Sequence, residues 1–473
     1  MRALGASLER RSLGPVLAGL RYRHVMPQPA AGRSPLLIIF IVVFLDLLGF
    51  GIVIPILPYY AEAYGASGLT LGWLLAIYSA MQLVFAPVWG RLSDRHGRRP
   101  ILVATILGQG ASLLVLGFAP SLAWLFVGRA LAGICGANLS TAAAYIADIT
   151  SEEGRARGMG VIGAGFGLGF IFGPAIGGLL SHWGYGAPMF VAAAVALAAG
   201  LFAWARLPEP PLDPVLRQQH RRSLDRSAIR ESLGDSRTRI AIVLFFVLTL
   251  AATQTETAFA LFLEVRHGYG AREAGLLLAF TGLVMAGVQG GLIGPLSRRF
   301  GEARLVAVGA LSLGGALVVF ASTEKLALLV VSLAFLGFGM GLTHPSLQSL
   351  ASRGAAPGRQ GATMGVYQSA GSLARILGPP VAGFLYDVHG RPVPFLAAAA
   401  LSLLACVVAS AWYASGFLRE ATLTFRQGGF KGTLRRYGWK LFAGFFLYYL
   451  VRDVTLYIVL PYLAARGMLS LWR

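Results

Sequence analysis

The sequence predicts an all-α integral membrane protein made of two similar six-helix bundles, with one further membrane helix at the C-terminal end. Three observations lead there. Of 473 residues, 56% are hydrophobic and only 13% charged, with a mean hydropathy of +0.68; an ordinary soluble domain is about 25% charged. The apolar residues fall in runs long enough to cross a bilayer, six followed by six. Two separate motifs recur further along the chain at almost one displacement.

A membrane-crossing helix needs about 20 mostly apolar residues. Runs of that kind occupy 36–58, 70–91, 101–119, 121–146, 157–181 and 187–205, giving an N-terminal bundle over 36–205. A polar linker, 206–238, follows. Runs at 239–263, 272–296, 303–321, 326–350, 361–385 and 392–415 then build a C-terminal bundle over 239–415. The remaining 416–473 begins with the basic, amphipathic "GFLREATLTFRQGGFKGTLRRYGWK" and ends in an apolar run, 441–463, read as a thirteenth span. An interfacial helix pair is the alternative there. In that run Arg452 and Asp453 are neighbours and point in different directions on a helix, so they are expected to meet other partners rather than each other.

Short cytoplasmic loops collect Lys and Arg. With the N-terminus in the cytoplasm, 31 of the 40 lie on the cytoplasmic side, six on the other, and Arg129, Arg375 and Arg452 within spans. This bias accounts for the net charge of +20 without nucleic acid as a partner. Residues 1–35 hold six arginines and one acid and are read as a basic cytoplasmic extension, although an organellar transit peptide has a similar composition. The two cysteines, Cys135 and Cys406, lie inside apolar runs, so no disulfide framework is expected. No metal-ligand spacing, activated nucleophile or phosphate loop is legible. The chain is therefore read as a non-enzyme without cofactor or metal, working as a monomer in the cell (inner) membrane.

"GRLSDRHGRRPIL" at 90–102 and "GPLSRRFGEARLV" at 294–306 share Gly90, Leu92, Ser93, Arg95 and Gly97 with Gly294, Leu296, Ser297, Arg299 and Gly301, displaced by 204. Met159, Gly160, Val161, Gly173, Pro174 and Gly178 recur as Met364, Gly365, Val366, Gly378, Pro379 and Gly383, displaced by 205. Two matches at nearly one offset imply duplicated halves. Duplicated bundles suit a transporter, because they can rock about a site held between them. A channel would more naturally show a filter loop.

An ionisable side chain in mid-membrane costs at least ~2.5–3.5 kcal/mol on insertion scales and so marks a candidate site. Asp46 stands about 15 Å into the first span, and Arg129 about 12 Å into the fourth, at 1.5 Å per residue. Glu256 lies in the seventh span and Arg375 in the eleventh. Asp46, Glu256 or both are expected to bind a proton from one side and release it to the other, since burial and a nearby arginine pull a carboxyl's proton affinity in opposite directions. A permanent ion pair bracing the halves is the alternative, and for Arg375 the two readings weigh equally. Gln82, Asn138, Gln254, Gln289 and His344 are candidate cavity-lining groups. In the fifth span Gly165, Gly169, Gly173 and Gly177 line one helix face beside Pro174 and Gly178, and such stripes let backbones touch. Gly90 likewise leaves room for a neighbouring helix.

"FLDLLGFGIVIPILP", "GRLSDRHGRRPIL", "GRALAGICGANLSTAAAYIADIT" and "GFIFGPAIGGLL" together resemble the major facilitator superfamily, and within it the twelve-span drug–proton antiporters near the tetracycline-efflux group. The resemblance covers about 36–415. It implies that Asp94, Arg98 and Asp148 form a charge cluster at the cytoplasmic helix ends, stabilising the outward-facing state and breaking as the halves rock. It makes Asp46 the buried acid and Arg129 its proton-relay partner, and associates the fifth-span glycines and proline with exchange rather than leak. Tetracycline exporters carry a histidine in span eight and an aspartate in span nine, where Met285 and Leu313 stand here. The expectation is thus a proton-coupled antiporter exporting small hydrophobic or amphipathic compounds. An uptake symporter or facilitator of a small metabolite is the alternative, and the fifth-span signature argues against it.

Overall fold

The computed structural model describes residues 35–150, 155–210, 234–355 and 360–414, with five isolated positions beyond. The expected N-terminal extension, most of the linker, and the thirteenth span lie outside the described residues. The described residues are helical, with no strand among them.

In the first half, α1 is Pro35–Val53, α2 Leu57–Glu62, α3 Gly68–His96, α4 Arg98–Gly117, α5 Leu122–Cys135, α6 Leu139–Ile149, α7 Arg155–Leu180 and α8 Gly186–Arg206. In the second, α9 is Ser236–His267, α10 Ala271–Gly287, α11 Ile293–Phe300, α12 Glu302–Ser322, α13 Leu326–Arg353, α14 Gln360–His389 and α15 Val393–Ala414. A 3-10 turn, Gly136–Asn138, joins α5 to α6, and a π turn, Val288–Leu292, joins α10 to α11, so each pair makes one crossing. Among the described residues, eleven helical stretches are long and apolar enough to span a membrane; α14 is as long and carries Arg375 midway. In lipid the backbone must satisfy itself, which leaves the helix as the structure for these runs.

Several helices outrun the apolar stretch that announces them. α3 continues to His96 and α9 to His267, because the hydrogen-bond ladder does not stop where hydropathy does. The duplication has a backbone counterpart: Gly97 (φ 103°, ψ 157°) and Gly301 (φ 79°, ψ 153°) make the same sharp turn between α3 and α4 and between α11 and α12. Only glycine adopts that conformation readily. In the tail Arg452 and Asp453 do meet, Nε to Oδ1 at 2.7 Å, against the expectation. Their Cβ vectors diverge, but both side chains are partly exposed and long enough to bend together, and Arg452 also stacks on Tyr449 at 4.3 Å.

The packing is asymmetric along the membrane normal. At the end away from the arginine loops, one apolar core runs through both halves, from Ile52, Ile56 and Leu74 to Phe259, Phe262, Phe320 and Phe395. At the arginine-rich end there are two separate cores, one around Ile39, Ile106 and Tyr145, the other around Leu244, Leu347 and Tyr367. Between the halves α3 crosses α14 and α7 crosses α10. Gly68 lies against Gly383, Gly72 against Pro379 and Gly178 against Gly275. Toward the arginine-rich end the helices diverge, and Gly90, Gly163, Gly290, Gly361 and Gly365 have no neighbouring atom within 4 Å of where a Cβ would stand. No helix therefore approaches Gly90 in this conformation. The protein is a V, closed at the far end and open at the arginine-rich mouth.

Candidate functional site

The mid-span charges cluster between the halves. Asp46, on α1, accepts a hydrogen bond from Asn138 Nδ2 at 3.3 Å, so it faces the bundle and not lipid. Gln82 on α3 donates to the Gly136 carbonyl at 2.9 Å, tying α3 to the turn that positions Asn138. Arg129 makes no ion pair with Asp46: its guanidinium stacks on Tyr78 at 4.4 Å, and its buried Nε has no partner among the described residues. The fourth-span arginine is thus held by an aromatic ring. Tyr78 also packs on Phe50, ring centroids 5.3 Å apart, and the charges of Arg129, Asp46 and Arg375 all act on its hydroxyl.

From the second half, Glu256 stands midway along α9 yet is reached by solvent, so it faces the cavity. The charge of Arg375 on α14 acts on it, and Arg375 Nη2 donates to Ser372 Oγ at 3.3 Å. His344 meets the edge of Phe245 at 6.1 Å, and Phe245 stacks on Tyr367 at 3.9 Å. Gln289 sits half-buried in the π turn. Gln254 departs from the expectation. It is 2% exposed with Oε1 unpartnered, because on α9 it turns into the helix packing, two positions from Glu256 and across the helix from it.

The glycine stripe of α7 packs within its own half. Positions for a Cβ on Gly165, Gly169, Gly173 and Gly177 meet Val43, Leu47, Gly51 and Ile52 of α1, the helix that carries Asp46. Gly178 and Pro174 instead face α10 of the other half, at Ala271 and Gly275. Substituting the stripe would displace α1 and its aspartate.

At the mouth, Arg98 Nη1 meets Asp94 Oδ1 at 2.5 Å and Arg98 Nε meets Asp148 Oδ2 at 2.9 Å, while Nη1 donates to Ser93 Oγ at 2.7 Å. All three charged groups belong to the first half. The cluster is intact here with the mouth open, whereas the resemblance implied a cluster that breaks as the halves rock. Three features escaped the sequence. Glu209 accepts the backbone N–H of Arg98 at 2.6 Å and of Arg99 at 3.0 Å, capping α4 from beyond α8. At the far end Asp387 of α14 accepts the N–H groups of Gly68 (2.9 Å) and Leu69 (2.8 Å), capping α3 across the two halves. Tyr59 donates to the carbonyls of Ala260 (3.3 Å) and Tyr269 (3.2 Å), again between halves. Such contacts join residues some 110 to 320 positions apart, and no local pattern announces them.

Two helical halves closed over buried charges at one end and open at the other define a multi-pass membrane transporter. The chain belongs to the Major Facilitator Superfamily, whose model matches residues 39–379 and 294–470. It is 36% identical over 361 residues to the class C tetracycline resistance protein of Escherichia coli, covering 75% of this chain and 90% of that one. Against multidrug resistance protein 2 of Bacillus subtilis (strain 168) it is 29% identical, over 78% of this chain and 93% of that one. Among solved structures, the human organic anion transporter MFSD10 (TETRAN) superposes with a TM-score of 0.60 at 26% identity, over 79% and 98% of the chains. The nucleoside transporter NupG, at 14% identity, shares the fold with a TM-score of 0.66 over 80% and 99%.

Proposed function

We propose that this protein is a proton-coupled antiporter that exports small hydrophobic or amphipathic compounds, with its arginine-rich end and N-terminus in the cytoplasm of a cell whose inner membrane it spans. The supporting observation is Asp46, an acid in mid-span, hydrogen-bonded to a neutral amide and carried on the helix that packs against the glycine stripe. Such a group can exchange a proton without breaking an ion pair. The relatives named as tetracycline and multidrug resistance proteins support a drug-like substrate. Leu313 is buried in the second-half core and offers no polar group, which favours hydrophobic compounds over a tetracycline–metal complex. One chain supplies both halves of the site, consistent with a monomer as the working unit.

With the mouth open to the cytoplasm, substrate enters the cavity between Glu256 and the aromatic wall of Tyr78 and Phe245. Rocking opens the far end, substrate leaves, and Asp46 takes a proton that it releases when the mouth reopens. Everted vesicles test this: a substrate dye should release protons from wild type, and an uncoupler should abolish its accumulation. Asp46→Asn, inserted at normal levels, should do neither. Proton-driven accumulation undiminished in that variant would overturn the assignment.

A further inference from the structure

The two loops at the mouth are one device with its signs exchanged. At the displacement of 204 to 205, Asp94 corresponds to Arg298, Arg98 to Glu302 and Asp148 to Arg353. The geometry follows the correspondence. Arg98 holds Asp148 at 2.9 Å, and Glu302 Oε1 holds Arg353 Nη2 at 2.9 Å. The serines follow with their roles exchanged too: Ser93 Oγ accepts from Arg98 Nη1 at 2.7 Å, and Ser297 Oγ donates to Glu302 Oε1 at 3.4 Å. The central side chains are 8% and 13% exposed, while Arg353 is 71% exposed at the open mouth.

Asp148 lies near the end of α6 and Arg353 at the end of α13. In a duplicated fold these equivalent positions face one another across the axis between the halves, and they approach when the mouth shuts. A duplication that kept its charges would set like against like there; this chain sets a carboxylate against a guanidinium. In the pairs described, Asp148 uses Oδ2 and Arg353 uses Nη2, so each keeps an atom for a second contact. We propose that closing the mouth joins Asp148 to Arg353, linking Asp94, Arg98, Asp148, Arg353 and Glu302 into one chain of alternating charge across both halves. Arg353 and Glu302 are then positioning residues of the transport cycle. The proposal rests on the alternating-access reading above.

Spin labels at Gly163→Cys and Gly290→Cys, in a Cys135→Ser, Cys406→Ser background, report the gap between α7 and the π turn by pulsed electron paramagnetic resonance. The parent protein should show a long and a short distance. Asp148→Asn and Arg353→Gln should each lower the short-to-long ratio, on the order of fivefold, and the double variant should lower it no further, as expected for a shared contact. Arg353→Lys should restore the ratio, which separates lost charge from misfolding. Unchanged ratios in the single variants, or effects that multiply in the double, would overturn the proposal. A parent protein with one distance only would remove the alternating-access reading itself, and this pair with it.

Discussion

Each half carries one acid in mid-span, and the two acids keep unlike company. Asp46 meets the amide of Asn138, and the nearest arginine of its own half, Arg129, is spent on Tyr78. Glu256 faces the cavity with the charge of Arg375 acting on it. A carboxyl bonded only to an amide can gain or lose a proton without stranding a counter-ion; one beside a guanidinium leaves an unpaired cation when it is neutralised. From this difference we propose proton traffic in the first half and, in the second, an acid under an arginine's charge that is suited to orienting cargo.

That division can be broken in order of effect. Asp46→Asn should eliminate the proton-driven component of efflux, while Glu256→Gln should retain coupling and change which compounds are carried, as scored by proton release per compound across a substrate panel. The reverse order would refute the division. Next in size, Arg98→Ala strands Asp94 and Asp148 in a largely buried cluster and should cost about 3–5 kcal/mol of stability, read by thermal unfolding in detergent. Its exposed counterpart across the mouth, Arg353→Ala, should cost about 0–1 kcal/mol in the same assay. The smallest change is at a purely local contact. Asp235 caps α9, accepting from Thr238 N–H at 2.9 Å, and these hydrogen bonds hold its carboxyl below the usual pKa. Asp235→Ala should cost about 1 kcal/mol. Since the folded pKa is the lower one, that contribution is present above the ordinary carboxylate range and fades as pH falls through the folded value. The melting difference between Asp235→Ala and the parent should therefore shrink in acid.

The first twelve spans and the duplication were legible because each rests on a local signal: an apolar run, a glycine turn, a repeated motif. Asp46 and Glu256 stood out for the same reason, as acids where lipid penalises them. Arg129's partner did not, because stacking on Tyr78 joins two spans and leaves no spacing to read. Gln254 and Glu256 look alike in "TQTETAF", and only the rotation of α9 turns one into the packing and the other to the cavity. The exchanged charges at the mouth were within reach of the sequence, but a search for identities passes over Asp94 opposite Arg298 and Arg98 opposite Glu302. Glu209 and Asp387 required the fold, since each caps a helix that begins far along the chain.

The far end is sealed by bare main chain. A Cβ on Gly72 would lie 2.8 Å from the Cα of Pro380, and one on Gly275 would lie 2.9 Å from the Cα of Gly178. A valine at either crossing acts as a wedge, prying that end apart and leaving the opposite arrangement as the one the molecule can occupy. Two such variants would supply a trapped form of the exporter, suited to imaging and to screening for compounds that jam it from outside.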